Sequence, residues 1–175
     1  LEKGLYSVKL NGRKKKQLSE ETGYHSADFS SSYHYYIQTS SDANTPPKVT
    51  LHNSSGKEIR VLESNERLRN ELTKYDLQAK TFFQFTTERG DELNGFMIQP
   101  PDFDPTQKYP VLLNIYGGPG SNTVKNAWGG HSFIWQQLMA QEGYLVVSVD
   151  PRGTMYRGRE FGHSTYLQLG KLETE

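Results

Sequence analysis

The apolar positions of this chain change rhythm near its middle. Through residues 5–62 they come in short alternating runs separated by polar turns. Leu5-Tyr6-Ser7-Val8-Lys9-Leu10 alternates with period two and meets Asn11-Gly12, a turn signal. Further strands are predicted at His25–Phe29, Tyr35–Thr39, Val49–His52 and Ile59–Leu62, with a turn at Ser54-Ser55-Gly56-Lys57. Residues 65–78 are charged, with a weak helical spacing between Leu68 and Leu72. Two more strands, Thr81–Thr86 and Leu93–Ile98, flank a hairpin turn at Glu88-Arg89-Gly90-Asp91, and Pro100, Pro101 and Pro105 end the pair in a surface loop. From Tyr109 the runs become continuous. Val111–Tyr116 and Tyr144–Val149 read as parallel strands buried on both faces. Between them Ser132 is placed to cap a helix carrying Phe133, Ile134, Trp135, Leu138 and Met139, and Gly143 is placed to end it.

This pattern predicts a mixed architecture. An antiparallel meander of four or five strands, about one propeller blade long, precedes the start of an α/β domain with a βαβ unit. The predicted boundaries are 1–64 for the blade, 65–80 for a linker with a short helix, and 81–175 for the α/β segment. A lone blade leaves two apolar faces open, and parallel strands at 111 and 144 need flanking elements. Exposed apolar surface, self-association or ordering beside another copy is therefore expected.

Composition removes several function classes. Twenty Lys and Arg balance twenty Asp and Glu, so no net field draws the chain to nucleic acid or anionic lipid. The basic run Arg13–Lys16 follows Asn11-Gly12 and reads as a solvated hairpin tip. With no cysteine, thiol nucleophiles, disulfides and cysteine-based zinc sites are excluded. His25, His34 and His52 have no carboxylate at ligand spacing, so no metal is expected, and no cofactor motif is seen. No apolar stretch is long enough to span a bilayer, and no membrane contact is readable from the sequence. The chain starts Leu-Glu-Lys-Gly, with neither an initiator Met nor a signal peptide, as a piece cut from a longer chain would.

The candidate chemistry lies in two loops at the carboxyl ends of the predicted parallel strands, where open sheets bind ligands. One is Tyr116-Gly117-Gly118-Pro119-Gly120 and the other is Asp150-Pro151-Arg152-Gly153. The first lacks the Lys-Ser/Thr of a phosphate-binding loop and the spacing of a dinucleotide fingerprint. It fits the oxyanion loop that follows an inner strand of α/β-hydrolases. Acyl transfer puts negative charge on a carbonyl oxygen, and a tyrosine hydroxyl held by a tight glycine turn can donate to it.

The run Lys108-Tyr109-Pro110 through Tyr116-Gly117-Gly118-Pro119-Gly120 resembles the prolyl oligopeptidase family of serine peptidases, most closely its bacterial dipeptidyl-peptidase branch. The likeness continues through Trp128, Gly143-Tyr144, Asp150-Pro151-Arg152-Gly153-Thr154, Tyr156-Arg157-Gly158, Phe161 and Leu169–Glu173. Upstream, Phe83–Pro101 looks like the strand pair that opens the family's hydrolase domain, and Leu5–Leu62, with Pro46-Pro47, like its last propeller blade. Tyr-Gly-Gly, where related acylaminoacyl peptidases and many esterases tend to have His-Gly-Gly, favours the dipeptidyl-peptidase branch or the prolyl oligopeptidases, and Gly118-Pro119-Gly120 favours the former. The resemblance implies that Tyr116 donates its hydroxyl to the oxyanion hole of an exopeptidase releasing X-Pro or X-Ala dipeptides. It further implies a peptide substrate, no cofactor or metal, a homodimeric parent, and a periplasmic or cell-surface location.

The family's Gly-x-Ser-x-Gly nucleophile motif does not occur in this sequence. Gly162-His163-Ser164-Thr165-Tyr166 imitates it but lacks the second glycine and the preceding apolar strand. By the family pattern the triad lies beyond Glu175, and the glutamates that grip the substrate amino terminus lie before Leu1. The polypeptide by itself is therefore expected to be inert. Asp150 and Arg152 read as local loop braces, His131 and Trp128 as packing or anchoring residues, and Tyr33–Tyr36 as strand packing. The rival readings are another peptidase or esterase of the family, or a non-catalytic binding module from a pseudo-peptidase.

Overall fold

The computed structural model describes residues 1–174; residue 175, the last of the predicted α/β segment, lies outside the described residues. The elements in order are β1 (Tyr6–Ser7), β2 (Lys16–Gln17), β3 (Tyr24–Phe29), β4 (Tyr35–Ser41), β5 (Lys48–Asn53), β6 (Glu58–Glu63) and α1 (Glu66–Leu72). Then come β7 (Thr81–Thr86), β8 (Glu92–Ile98), β9 (Val111–Leu113), α2 (Gly130–Gln141), β10 (Leu145–Asp150) and α3 (Arg159–His163). The chain divides into two compact units. One holds residues 1–76 with 125–131, and the other holds 77–124 with 132 onward.

In the first unit β3-β4-β5-β6 form an antiparallel four-stranded meander. The alternating run at Leu5 contributes less than its pattern predicts. Only Tyr6 and Ser7 pair, with Lys16 and Gln17, in a separate two-stranded ladder. Val8 and Leu10 stand in solvent, so no apolar contact extends the ladder. The basic run forms the tip of that hairpin: Gly12 adopts φ +76 and Lys15 lies over the Tyr6 ring.

One face of the meander is covered, and it is polar where an apolar face was expected. His25, Gln38, Thr50 and His52 are all buried. Each is tied to a neighbour, as burial in a low-dielectric interior requires. His25 Nε2 donates to Thr22 O (2.9 Å), and Gln38 Nε2 donates to His25 Nδ1 (3.3 Å). His52 Nδ1 donates to Gly56 O (3.2 Å), leaving Nε2 to accept from Thr50 Oγ1 (2.8 Å). Phe29, Tyr36 and His52 stack across three strands with centroid separations of 5.0 Å. Tyr35, Ile37, Ile59 and Val61 remain exposed, as expected of an uncovered blade.

Residues 125–131 join this unit through Asn126. Its Oδ1 accepts from Ala43 N (2.8 Å), its Nδ2 donates to the Glu2 carboxylate (2.9 and 3.1 Å), and its backbone N–H donates to Leu1 O (3.0 Å).

The second unit is built on a mixed sheet in the order β7-β8-β10-β9. β10 runs antiparallel to β8 and parallel to β9. Val146 and Ile98 are register partners and both are fully buried. Each such side chain contributes on the order of 1.5–3 kcal/mol. β9 is shorter and barer than its apolar run predicts. It ends at Leu113, and Val111 and Leu113 are 59 % and 57 % exposed, because β9 is the edge strand with a neighbour on one side only. The helix starts at Gly130, two residues before the predicted Ser132 cap. It buries Phe133, Gln136, Gln137 and Ala140 and turns Ile134, Trp135 and Leu138 outward. Gln137 acts as a surrogate strand: its Oε1 accepts from Gln78 N and its Nε2 donates to Gln78 O, both at 2.7 Å. Lys80, 7 % exposed, lies over the rings of Phe96 (4.4 Å) and Phe133 (5.6 Å). Burial lowers its pKa to about 8.

Candidate active site

β9 and β10 are parallel, so the loops leaving their carboxyl ends emerge at the same edge of the second unit's sheet. The first begins at Asn114, whose N–H still donates to Val147 O (2.8 Å). Ile115 and Tyr116 then leave the sheet, half-exposed at 50 % and 57 %. Gly117 turns the chain with φ +72, a conformation that costs an L-residue about 1–2 kcal/mol.

Past that turn the tyrosine ring folds back over its own loop. A Cβ added at Gly118 would lie 3.0 Å from Tyr116 Cε1, and one at Gly120 would lie 3.2 Å from Tyr116 Oη. The two glycines therefore make room for the ring and the hydroxyl. This is the arrangement a phenol donor needs: an aromatic body seated on backbone and a polar end left accessible.

The far end of the loop is fastened to β10. Asp150 Oδ1 accepts from Thr123 N (2.7 Å) and Thr123 Oγ1 (2.9 Å), and Asp150 Oδ2 accepts from Val124 N (3.2 Å). Because the Thr123 hydroxyl proton goes to the carboxylate, Ser148 Oγ, fully buried, donates to Thr123 Oγ1 (2.9 Å). The sequence makes Asp150 and Arg152 local braces of their own loop, and the structure corrects this. Asp150 holds Thr123 and Val124 of the preceding loop, and Arg152 reaches Leu172 and Asp91, because the folded sheet brings these distant segments beside them. Thr123 and Ser148 were not singled out, since nothing local in sequence links them to a residue 25 or more positions away.

The second loop is braced as well. Thr154 Oγ1 donates to Pro151 O (2.6 Å). Arg152, 6 % exposed, donates from Nε to Leu172 O (2.9 Å) and from Nη1 to Asp91 Oδ2 (3.2 Å). Arg157 Nη1 donates to Glu92 O, while its guanidinium covers the Phe161 ring. Gly153 has φ +85 and packs directly against the buried Thr165. A recess of about 420 Å³ beside this loop is bordered by Gly120, Met155, Tyr156, Arg159 and His163.

Ser164, in the run that imitates the nucleophile motif, has a structural partner. Ser164 Oγ donates to Phe161 O (2.8 Å), closing the turn after α3. Trp128 lies in the first unit, where its N–H donates to Ser41 Oγ (3.2 Å), and His131 is exposed in the first turn of α2. No helix among the described residues is long and apolar enough to cross a membrane.

A four-stranded antiparallel blade followed by the first strands and helix of an α/β-hydrolase sheet defines a propeller-plus-hydrolase protein. Comparison with known proteins narrows that class. Residues 1–47 match the family model described as "Dipeptidyl peptidase IV (DPP IV) N-terminal region", and residues 131–175 match "Prolyl oligopeptidase family". A probable dipeptidyl peptidase 4 of Aspergillus flavus is 34 % identical over 177 residues, covering 99 % of this chain and 23 % of that protein. Dipeptidyl peptidase 4 of Trichophyton rubrum is 34 % identical over 175 residues, covering 98 % and 23 %. The crystal structure of Porphyromonas gingivalis dipeptidyl peptidase 4 superposes with a TM-score of 0.90 at 41 % identity, covering 98 % of this chain and 24 % of that one. By these matches the chain is related, over nearly all its length, to the dipeptidyl peptidase IV branch of the prolyl oligopeptidase family. It spans about a quarter of the length of those relatives.

Proposed function

We propose that this chain is part of a serine exopeptidase that removes X-Pro or X-Ala dipeptides from the amino terminus of peptides. In it Tyr116 donates a hydrogen bond to the oxyanion of the tetrahedral intermediate. The observation that carries this reading is the Tyr116 ring seated over Gly118, with its hydroxyl beside Gly120, at the carboxyl edge of the β9–β10 pair. The relatives named dipeptidyl peptidase 4 support release of dipeptides, and the family resemblance supports the X-Pro or X-Ala preference.

The reaction divides between this chain and the rest of the parent. A serine hydroxyl gives its proton to the parent's histidine and bonds to the carbonyl carbon of the second residue; the carbonyl π bond breaks and its oxygen takes the electron pair. A fixed donor near that oxygen stabilises the transition state more than the ground state, where the charge is absent. Tyr116 fits that role because its loop is tied to β10 at both ends, so little reorganisation is required as charge appears. The serine, its histidine and its acid belong to the parent outside this chain, as do the glutamates that bind the free amino terminus. The blade over 1–64, the linker over 65–80 and the hydrolase segment over 81–175 are part of the same proposal, as are a homodimeric parent and a periplasmic or cell-surface location.

The test is a substrate pair offered to the full-length parent. Gly-Pro-p-nitroanilide should be cleaved and N-acetyl-Ala-p-nitroanilide, which has no free amino terminus, should not. Preference for the acetylated substrate would make the parent an acylaminoacyl peptidase. Light scattering of the parent at half the dimer mass, or its recovery in the cytosol on fractionation, would overturn the assembly and location.

A further inference from the structure

We infer that Asp150 is a positioning residue for the oxyanion donor, acting on Tyr116 through the Thr123 end of the loop; this rests on the assignment of Tyr116 proposed above. The loop between Asn114 and Val124 has two fastenings, and β10 supplies both. At the near end Asn114 N donates to Val147 O (2.8 Å). At the far end the 5 % exposed Asp150 collects three hydrogen bonds, two from backbone N–H groups of consecutive residues and one from the Thr123 hydroxyl. Ser148 adds a fourth bond from beneath. Tyr116 takes part in neither set of hydrogen bonds. Its ring rests on Gly118 and its hydroxyl beside Gly120, between the two. The height of Gly118 and Gly120 above the sheet therefore sets where the hydroxyl lies, and the Asp150 clamp fixes that height.

The carboxylate is specific to this task. Both its oxygens face donors, so an acceptor-only group fits and an amide does not. In Asp150→Asn, one amide orientation points NH2 at the Val124 N–H and the other points it at the Thr123 N–H and hydroxyl. Either orientation pushes one strand of the loop away from β10 with almost no change in volume.

The experiment is a double-mutant cycle on kcat and KM for Gly-Pro-p-nitroanilide, in the full-length parent. The variants are Tyr116→Phe, Asp150→Asn and the double. Displacing a reacting group by about an ångström costs up to roughly a hundredfold, so Asp150→Asn should lower kcat by about tenfold to a hundredfold. KM should stay within about twofold, because the lost contact is made in the transition state. The double variant should be no slower than Tyr116→Phe, since loop height has no effect on kcat once the hydroxyl is gone. Asp150→Asn at wild-type kcat, or a double variant slowed by the product of the two single effects, would overturn the inference. Tyr116→Phe at wild-type kcat would instead overturn the oxyanion assignment itself, which separates the two failures. If Asp150→Asn does not fold, Thr123→Val carries the same cycle, removing both the hydroxyl's bond to Asp150 and the acceptor of Ser148 Oγ in a side chain of near-identical shape. It should slow kcat several-fold in the presence of the Tyr116 hydroxyl and not in its absence. Equal slowing in both backgrounds would overturn the inference.

Discussion

Gly153 is a position where one added carbon has a calculable effect. It adopts φ +85, and a Cβ there would lie 2.3 Å from Thr165 Oγ1, 2.7 Å from its Cγ2 and 3.1 Å from its Cβ. Thr165 is 1 % exposed, so it has no solvent to swing into. Gly153→Ala therefore carries two costs. The left-handed backbone costs about 1–2 kcal/mol. Forcing a methyl into a packed contact costs about 1–3 kcal/mol more. The sum, roughly 2–5 kcal/mol, is large against the stability of an ordinary domain. Urea denaturation of the chain followed by far-ultraviolet circular dichroism reads it out. With a slope of about 1–3 kcal/mol per molar urea, the second unit's midpoint should fall by roughly 1 M or more. The two costs separate in a Thr165→Ala background, which removes the Oγ1 and Cγ2 that collide. There Gly153→Ala should cost only the backbone share, about 1–2 kcal/mol. A single mutant within about 0.5 kcal/mol of wild type would refute the reasoning. An undiminished cost in the Thr165→Ala background would show that Thr165 is not the obstacle.

Two further predictions concern buried polar groups. Burial of Lys80 lowers its folded pKa from 10.5 to about 8. Below pH 8 the amine is charged in both states, and between about 8 and 10.5 the unfolded chain holds more protons, so stability should rise with pH across that window. The gain is at most about 3 kcal/mol. Lys80→Met should abolish the rise, and a wild-type stability that is flat or falling relative to Lys80→Met over pH 8–10 would contradict the assignment. Tyr36 is 1 % exposed and its hydroxyl has no hydrogen-bond partner among the described residues, so Tyr36→Phe removes a desolvated group without opening a cavity. In this chain it should leave thermal stability unchanged or raise it by up to about 1 kcal/mol; a loss larger than that would mean the hydroxyl is satisfied.

Much of the fold was legible because its elements are local. The strands at Tyr24, Tyr35, Lys48, Glu58, Thr81, Glu92 and Leu145 lie within a residue or two of their predicted limits, since local runs (alternating in the first six, continuous at Leu145) and turn residues define them. The errors arose where neighbours decide. Leu5–Leu10 alternates well, yet only two residues pair, because no partner covers Val8 and Leu10. Val111–Tyr116 is apolar but for Asn114, yet an edge position leaves it short and bare. The polar face of the blade was illegible, because Gln38 meets His25 only once β3 and β4 pair, and the near-neighbour bonds of His52 to Thr50 and Gly56 follow from a strand and turn geometry that residue type alone does not give. At the site, Tyr116 was found by the glycines that follow it and by family likeness. Its supports were not found, since the bonds from Thr123 to Ser148 and Asp150 span 25 and 27 residues. A side chain's chemistry can be guessed from its type, whereas what holds it in place is a property of the assembled sheet.

The central claim is that the Tyr116 hydroxyl stabilises an oxyanion, and steady-state hydrolysis of Gly-Pro-p-nitroanilide by the full-length parent tests it most directly. Tyr116→Phe deletes one oxygen and leaves the ring on Gly118. It should lower kcat by about a hundredfold or more with little change in KM, as loss of one oxyanion donor does. The 175-residue chain, as the control, should release no p-nitroaniline. A parent whose kcat is indifferent to Tyr116→Phe would make Tyr116 a packing residue and contradict the account.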